Sequence, residues 1–394
     1  MTGARPAGPT RVAAELRRRV QGTVRVAGEP GFEDACRPFN AAVLRRPQVA
    51  VQVAGPEDVV KALETAAAHG LSVSVRGGGH GLDGAALAGD VVLDTSALHG
   101  VAVAPERRTV LVRAGCPWGA VDEATLPYGL AVPGSRVSAV GTAGLILGGG
   151  DGWLSGCHGS TADNLLVAEV VTAHGHRERV GDVAELRRAV ADGAVATAFT
   201  LRLHEAPSRV LAGAIDYALD DAVPVLSALA ELQEFPGGGF AGVGALAMRA
   251  RDRRFVLRVL PVWFAGAGEV RRGLAVLRGA ARPLQDVPVV TSYAALQTAL
   301  DPCAPWGLRR AVTPEVAVAD ATALGTALLD AAGRAPGPGA YAWIGVRGPV
   351  RQWLVQAGSQ WRHPADDAAH HTWITALASA LTARLVRSVE GVHR

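Results

Sequence analysis

Val73-Ser74-Val75-Arg76 runs directly into Gly77-Gly78-Gly79-His80-Gly81. An alternating apolar run delivers the chain in extended form, and three glycines then strip the turn of side chains. Such a turn lets backbone N–H groups approach a phosphate or pyrophosphate closely. No Gly-Lys-Ser/Thr follows, so it is not a Walker A loop, and it does not open a long helix as a GxGxxG dinucleotide fingerprint would. Taken alone, a glycine triplet is more often a plain turn. A second glycine-dense stretch decides more. It runs through Pro133-Gly134, Gly141-Thr142, Gly144, Gly148-Gly149-Gly150-Asp151-Gly152-Trp153 and ends in Asp163-Asn164. Two such loops at strand ends suit a long phosphate-bearing ligand gripped at several points.

The rest of the first half alternates helices and short strands. Residues 11–20 read as an amphipathic helix, and Val59–His69 as a helix stopped by Gly70. Leu71–Arg76, Val91–Asp94, Glu169–Ala173 and residues 197–203 read as strands. Val101–Ala104 and Thr109–Val112 read as a hairpin across Pro105–Arg108. Trp118–Tyr128 looks helical. Past Pro207 the glycines become linkers, at Pro236–Gly239 and Gly333–Gly339. The run Phe255–Val259 reads as a strand, and Val270–Arg278, Asp320–Ala332 and Thr372–Val386 as alanine-rich helices, with Asp320 a candidate N-cap. This change places a domain boundary near residue 206, giving domains 1–206 and 207–394.

At 394 residues, 49% of them hydrophobic, the chain has length for two or three domains with cores of their own. With 19% charged residues it is not disordered, and 48 glycines with 23 prolines exclude a coiled coil. The net charge of +3 is spread along the sequence, and the basic residues are almost all arginine, Lys61 being the only lysine. That bias reads as codon usage in a GC-rich genome, so no nucleic-acid partner is expected. Cys36, Cys116, Cys157 and Cys303 lie far apart without a CxxC pair, which argues against a disulfide framework or a structural zinc. No signal peptide and no membrane-spanning run is legible, so a soluble cytoplasmic protein is expected.

Residues 36–175 resemble the flavin-binding domain of the berberine bridge enzyme-like oxidases of the vanillyl-alcohol oxidase superfamily. The resemblance is carried by Arg37-Pro38-Phe39-Asn40-Ala41, Arg46-Pro47, Arg76–His80, Val91–Asp94, Ala114-Gly115-Cys116-Pro117-Trp118-Gly119, Val140–Gly144, Leu147–Gly150 and Asp163-Asn164-Leu165-Leu166. Thr200–His204 fits the end of that domain. The resemblance implies an α+β protein with an FAD-binding domain of the PCMH type, made of two α/β subdomains. A substrate domain with an antiparallel sheet flanked by helices would follow. It implies FAD between the two subdomains, with the Arg76–Gly79 turn around the pyrophosphate. His80 would be bonded to the 8α-methyl of the isoalloxazine. Gly81, the glycines of the second stretch, Pro133, Thr142, Trp153, Asp163, Asn164 and Val170 are the remaining expected cofactor contacts.

The sequence departs from the family pattern in four places. Val137 stands where some members carry a second flavin-linking cysteine, which implies a single covalent link. Cys116 and Cys157 read as buried small hydrophobes. Asp151 replaces an apolar residue and would either tune the flavin or face solvent. Leu186–Val195 lacks the usual glycines, so backbone approach to the cofactor should be poorer there. The segment that returns to the flavin domain after the last long helix is expected to be missing, and with it an active-site tyrosine.

A catalytic base is sought among Tyr217, Tyr293, Tyr341, Glu231, Glu234, Asp301, His363, His370 and His371. Tyr341, on a strand-like Tyr341-Ala342-Trp343, is the candidate catalytic residue. His363, His370 and His371 have no metal-ligand spacing and read as an exposed face; His174 and His176 flank a turn glycine and read as exposed. No metal is expected. Six tryptophans after residue 206 suggest an aromatic pocket wall or a core. Three readings follow: an oxidase acting on a small molecule, plausibly of secondary metabolism, with O2 reoxidising the flavin; a redox-neutral flavoprotein such as a cyclase or eliminase; or a non-enzymatic member of the family. Substrate identity and oligomeric state are not legible.

Overall fold

The computed structural model of the chain describes residues 8–233, 239–264, 266–347 and 352–390. Glu234, the linker residues Pro236–Gly238 and the last four residues lie outside them. The chain forms two compact units. One comprises Met1–Ala206 with Gln297–Trp306, the other Pro207–Leu296 with Gly307–Arg394.

Among the described residues, the first unit holds two main sheets and a two-stranded pairing of Leu130–Ala131 with His204–Glu205. One has four strands in the order Thr23–Val26, Val49–Gln52, Val91–Asp94, Val73–Arg76; the first pair is antiparallel and the others parallel. Val91–Asp94 is central and buried on every residue, as a strand covered on both faces must be. Helices Pro9–Arg19 and Pro56–Ala68 supply Val12, Leu16, Val59 and Leu63 to pack against Val49, Val51, Val91 and Leu93. The other sheet is antiparallel, in the order Val101–Ala104, Thr109–Arg113, Val195–Arg202, Leu165–Val171, Arg177–Val180. Thr109–Arg113 alternates strictly, placing Val110 and Val112 against Trp118, Val121, Ile146 and Phe199. The expected strand at Glu169–Ala173 begins four residues earlier and ends at Val171. Thr172 and Ala173 already belong to the turn closed by Gly175 N–H on Thr172 C=O.

The second unit is built on an antiparallel sheet with strands in the order Gln285–Asp286, Ile215–Tyr217, Phe255–Leu260, Val243–Met248, Ala340–Arg347, Gln352–Trp361, Arg309–Val312, and Val316–Val318 also pairs with Gln352–Trp361. Helices Ala222–Gln233, Ala267–Ala280, Ala321–Gly333 and Asp367–Glu390 accompany it. Their Leu226, Leu229, Leu328 and Leu377 share one core with Leu246, Leu257, Ile344 and Val355 of the sheet. Asp320 caps its helix as expected, its carboxylate accepting from Thr322 N and Ala323 N. The expected fold class, α+β with an antiparallel sheet flanked by helices after a two-sheet first domain, is what the chain adopts. Among the described residues, no helix is long and apolar enough to cross a membrane.

Candidate functional site

The edge strand Val73–Arg76 ends where Thr95 N–H bonds to Arg76 C=O. Beyond that bond the chain turns through Gly77–Gly81. Its closest neighbour is Gly141: a Cβ added to Gly78 would lie 2.4 Å from Gly141 N, and one added to Gly141 would lie 2.3 Å from Gly78 N. The two glycine stretches recognised in the sequence therefore meet backbone to backbone, at a separation only glycine permits. Gly79 adopts a φ of +72°, beneath the Arg76 guanidinium. That guanidinium is held by Arg37 C=O (3.3 Å) and the buried Asp94 carboxylate (3.6 Å). Its buried Nε has no hydrogen-bond partner among the described residues. The N–H groups of Gly77, Gly78, Gly79 and Gly81 likewise donate to no acceptor there.

The second stretch is a nest of loops around two short helices. Thr142 N–H and Oγ1 both donate to Cys116 C=O, at 3.0 and 2.9 Å, which starts helix Thr142–Leu147. Gly149 and Gly150 then turn with φ of +104° and +75°. Thr161 N–H closes on Gly150 C=O and Ala162 N–H on Gly149 C=O. The buried Thr161 Oγ1 has no partner among the described residues. Pro133 and Gly134 are buried, Gly134 against the Trp118 indole, and a side chain on Gly152 would strike Gly134 C=O. Trp153 is buried with the Arg136 guanidinium 5.0 Å over its ring. Gly144 and Gly148 face outward on the helix, and Val170 is buried in the five-stranded sheet.

Asp163 and Asn164 shape the loop rather than project from it. The Asp163 carboxylate accepts from Ser160 N–H and Oγ, which holds its pKa below the ordinary value. Asn164 donates to His158 C=O and Ser160 C=O and accepts from His204 Nε2 at 2.7 Å. The His204 ring stacks on His158 at 4.0 Å, and burial lowers the pKa of both.

His80 stands at the end of the first glycine turn. Its Nδ1 lies 3.1 Å from Gly78 C=O, and its ring stacks on Phe39 at 4.4 Å. Trp306 meets both rings edge-on, at 5.0 Å from His80 and 5.3 Å from Phe39. Phe39 N–H is bonded to Gly79 C=O, which ties the cage to the turn.

Several expectations need correction. Cys157 is exposed, because the short helix Ser155–His158 turns it outward, whereas Cys116 is buried as expected and Cys36 is buried too; none of the four cysteines is in a disulfide. Asp151 is exposed and pairs with Arg136 at 2.7 Å, so it faces solvent. Leu186–Val195 is mostly helix (Val183–Ala191, capped by Asp182), and it reaches the second loop through a side chain: Arg187 Nε donates to Leu147 C=O at 2.8 Å. His370 is not on an exposed face; it is buried, bonded to Ser359 Oγ at 2.6 Å and stacked on Trp361. His363 and His371 are exposed, as are His174 and His176. Among the candidate bases, Tyr217 is buried and donates to Leu277 C=O, Tyr293 is buried, and Glu231 is exposed. Asp301 belongs to the first unit and accepts from Ser138. Tyr341 lies in the second unit, its ring packed over Gly358; burial raises its pKa, and the Arg310 guanidinium opposes that rise. Trp263, Trp353 and Trp373 are core residues. Phe39, Arg136, Thr161, Arg187 and Trp306 were not singled out as site residues. Only Phe39 carried a signal, its place in Arg37–Ala41.

A family model described as an FAD binding domain matches residues 47–181, which contain both glycine stretches and the strands that aim them. The chain is 32% identical over 204 residues to an FAD-linked oxidoreductase of Dictyostelium discoideum, across 50% of this chain and 45% of that protein. It is 29% identical over 289 residues to (R)-6-hydroxynicotine oxidase of Paenarthrobacter nicotinovorans, across 70% of this chain and 62% of that one. The matches thus span about half the length of these curated relatives. Among solved structures, 6-hydroxy-D-nicotine oxidase from Arthrobacter nicotinovorans superposes with a TM-score of 0.80 at 24% identity, covering 92% of this chain and 86% of that one. A berberine bridge enzyme-like protein of Physcomitrella patens superposes with 0.81 at 16% identity, over 95% and 88%. The resemblance to the berberine bridge enzyme-like proteins is borne out, in the fold and in the FAD-binding domain. The residues also fit the cofactor: side-chain-free backbone, undirected N–H groups and a buried guanidinium N–H are the donors a pyrophosphate requires.

Proposed function

We propose that this protein is an FAD-linked oxidoreductase that oxidises a small molecule, with O2 as the final electron acceptor. The observation that carries the reading is the closure of Gly78 on Gly141, with His80 caged beside it. FAD, when bound, supplies the hydride acceptor. The chain's own residues do the rest. The Gly77–Gly81 N–H groups and the Arg76 guanidinium would neutralise the pyrophosphate charge in a partly desolvated turn. Gly149, Gly150 and Thr161 would hold the opposite end of the second loop against the ligand. Pro133, Gly134, Gly152 and Trp153 would support that loop from within the unit. His80 would link to the flavin through a ring nitrogen as the single covalent tether, with Phe39 and Gly78 C=O fixing its orientation. Tyr341, kept neutral by burial, would hold a proton near the substrate in its own unit. The names of the oxidase relatives support a small-molecule substrate, and a role in secondary metabolism is part of this proposal.

Asp151 offers the redox-neutral reading no support, since it is exposed and paired. Anaerobic mixing with a panel of small alcohols and amines, 6-hydroxynicotine included, tests the proposal. Loss of the visible flavin band, its return on admitting O2 and the appearance of peroxide are expected. Product formation with the band unchanged would overturn it.

A further inference from the structure

The segment Gln297–Trp306 belongs to the first unit, although the residues on either side of it belong to the second. It is tied to that unit at three points along its length. Gln297 is buried and donates through Nε2 to Asp122 Oδ2 at 2.9 Å and to Ser135 C=O at 3.4 Å. Asp301 uses both carboxylate oxygens on one residue: Oδ1 accepts from Ser138 N–H at 2.8 Å and Oδ2 from Ser138 Oγ at 2.6 Å. Trp306 lies edge-on to His80 and Phe39.

These attachment points are not scattered. Ser138 stands three residues before Gly141, which touches Gly78; His80 stands two residues after Gly78. Ser135 follows the buried Pro133-Gly134. The segment therefore touches both glycine turns, and it does so on either side of the place where they meet. Two neutral contacts and one charge-assisted pair along ten residues exceed what a passing loop requires. The turn 136–141 has anchors of its own, since Gly119 N–H donates to Ser138 C=O and Trp118 N–H to Val140 C=O. Removing Asp301 should accordingly loosen the turn without unfolding the unit.

We propose that Gln297–Trp306 is a clamp on the cofactor cradle, with Asp301 the positioning residue for the 136–141 turn and Trp306 the positioning residue for His80. The inference rests on the FAD reading for the identity of what is clamped, but the clamp itself is a property of the protein alone.

The test uses the full chain as purified, in wild-type, Asp301→Ala, Asp301→Asn, Trp306→Ala and Trp306→Phe forms. Amide hydrogen exchange is followed in peptides covering 37–41 and 136–142, and retained flavin is measured after gel filtration. Loss of the doubly bonded carboxylate should speed exchange at 136–142 on the order of tenfold in Asp301→Ala. Asp301→Asn should restore most of the protection, because its amide can still accept from Ser138 N–H and donate to Ser138 Oγ. Trp306→Ala should speed exchange at 37–41, where Phe39 N–H is bonded to Gly79 C=O, and lower retained flavin, and Trp306→Phe should recover both. Wild-type exchange and wild-type flavin in both alanine variants would overturn the clamp, as would faster exchange with undiminished flavin. A wild-type protein without flavin would instead overturn the FAD reading, and the exchange data would still decide whether the segment fastens the turns.

Discussion

At the scale of single residues, the cradle depends on atoms that are not there. A Cβ on Gly78 would sit 2.4 Å from Gly141 N and 2.5 Å from its Cα, both backbone atoms that cannot swing aside. Gly78→Ala is expected to cost roughly 2–3 kcal/mol, the scale of an overpacked interior, and to empty the protein of flavin. Thermal unfolding and the flavin-to-protein ratio measure the two effects. Gly150→Ala meets both a φ of +75° and the Thr161 hydroxyl 2.2 Å away, so it should be at least as severe. Outward-facing Gly144 and Gly148 differ. Gly144 has nothing within 4 Å of an added Cβ, and Gly144→Ala should change melting by less than about 1 kcal/mol. The glycines were legible because they interrupt strong apolar patterns. Phe39 was marked only by its place in Arg37–Ala41, and Arg136 and Trp306 were not legible, because nothing in their local sequence marks a side chain whose partner arrives from elsewhere in the chain.

Elements carry the pH dependence. Helix Trp118–Thr125 buries Asp122, and burial pushes its carboxyl up to about 7, with the Gln297 hydrogen bond opposing. Asp122 Oδ1 and Gln297 Oε1, two buried acceptors, have no donor among the described residues, and one proton on Asp122 would supply a donor. The folded protein binds that proton more tightly than the unfolded chain, whose carboxyl titrates near 3.8. Its contribution is therefore fully present below that lower value and is lost as pH rises to about 7. Some three units at about 1.4 kcal/mol each make it on the order of 4 kcal/mol. Melting temperature should fall across this window in wild type, and Asp122→Asn should flatten the slope; an equally steep slope in the variant would contradict the assignment. Element types were largely readable from period and caps, as at Asp320. In the helix Val183–Ala191 the sequence shows mainly the absence of glycines, and its Asp182 cap is the local signal for the element.

For the whole molecule, the strands Val73–Arg76, Val91–Asp94, Val101–Ala104, Thr109–Arg113, Leu165–Val171 and Val195–Arg202 were legible as apolar runs ended by glycine or a turn, whereas Thr23–Val26, Val49–Gln52 and Arg177–Val180 were not. The segment Gln297–Trp306 was not, because its membership of the first unit is set by contacts more than a hundred residues distant in sequence, such as Asp301 with Ser138. Whether the chain holds a flavin at His80 decides its function. The most direct measurement is to denature the purified protein in acid and record where the yellow colour goes, in wild type and in His80→Ala. A yellow precipitate in wild type and a colourless one in the variant is the predicted result. A colourless wild-type precipitate, with flavin in the supernatant or none at all, would contradict it.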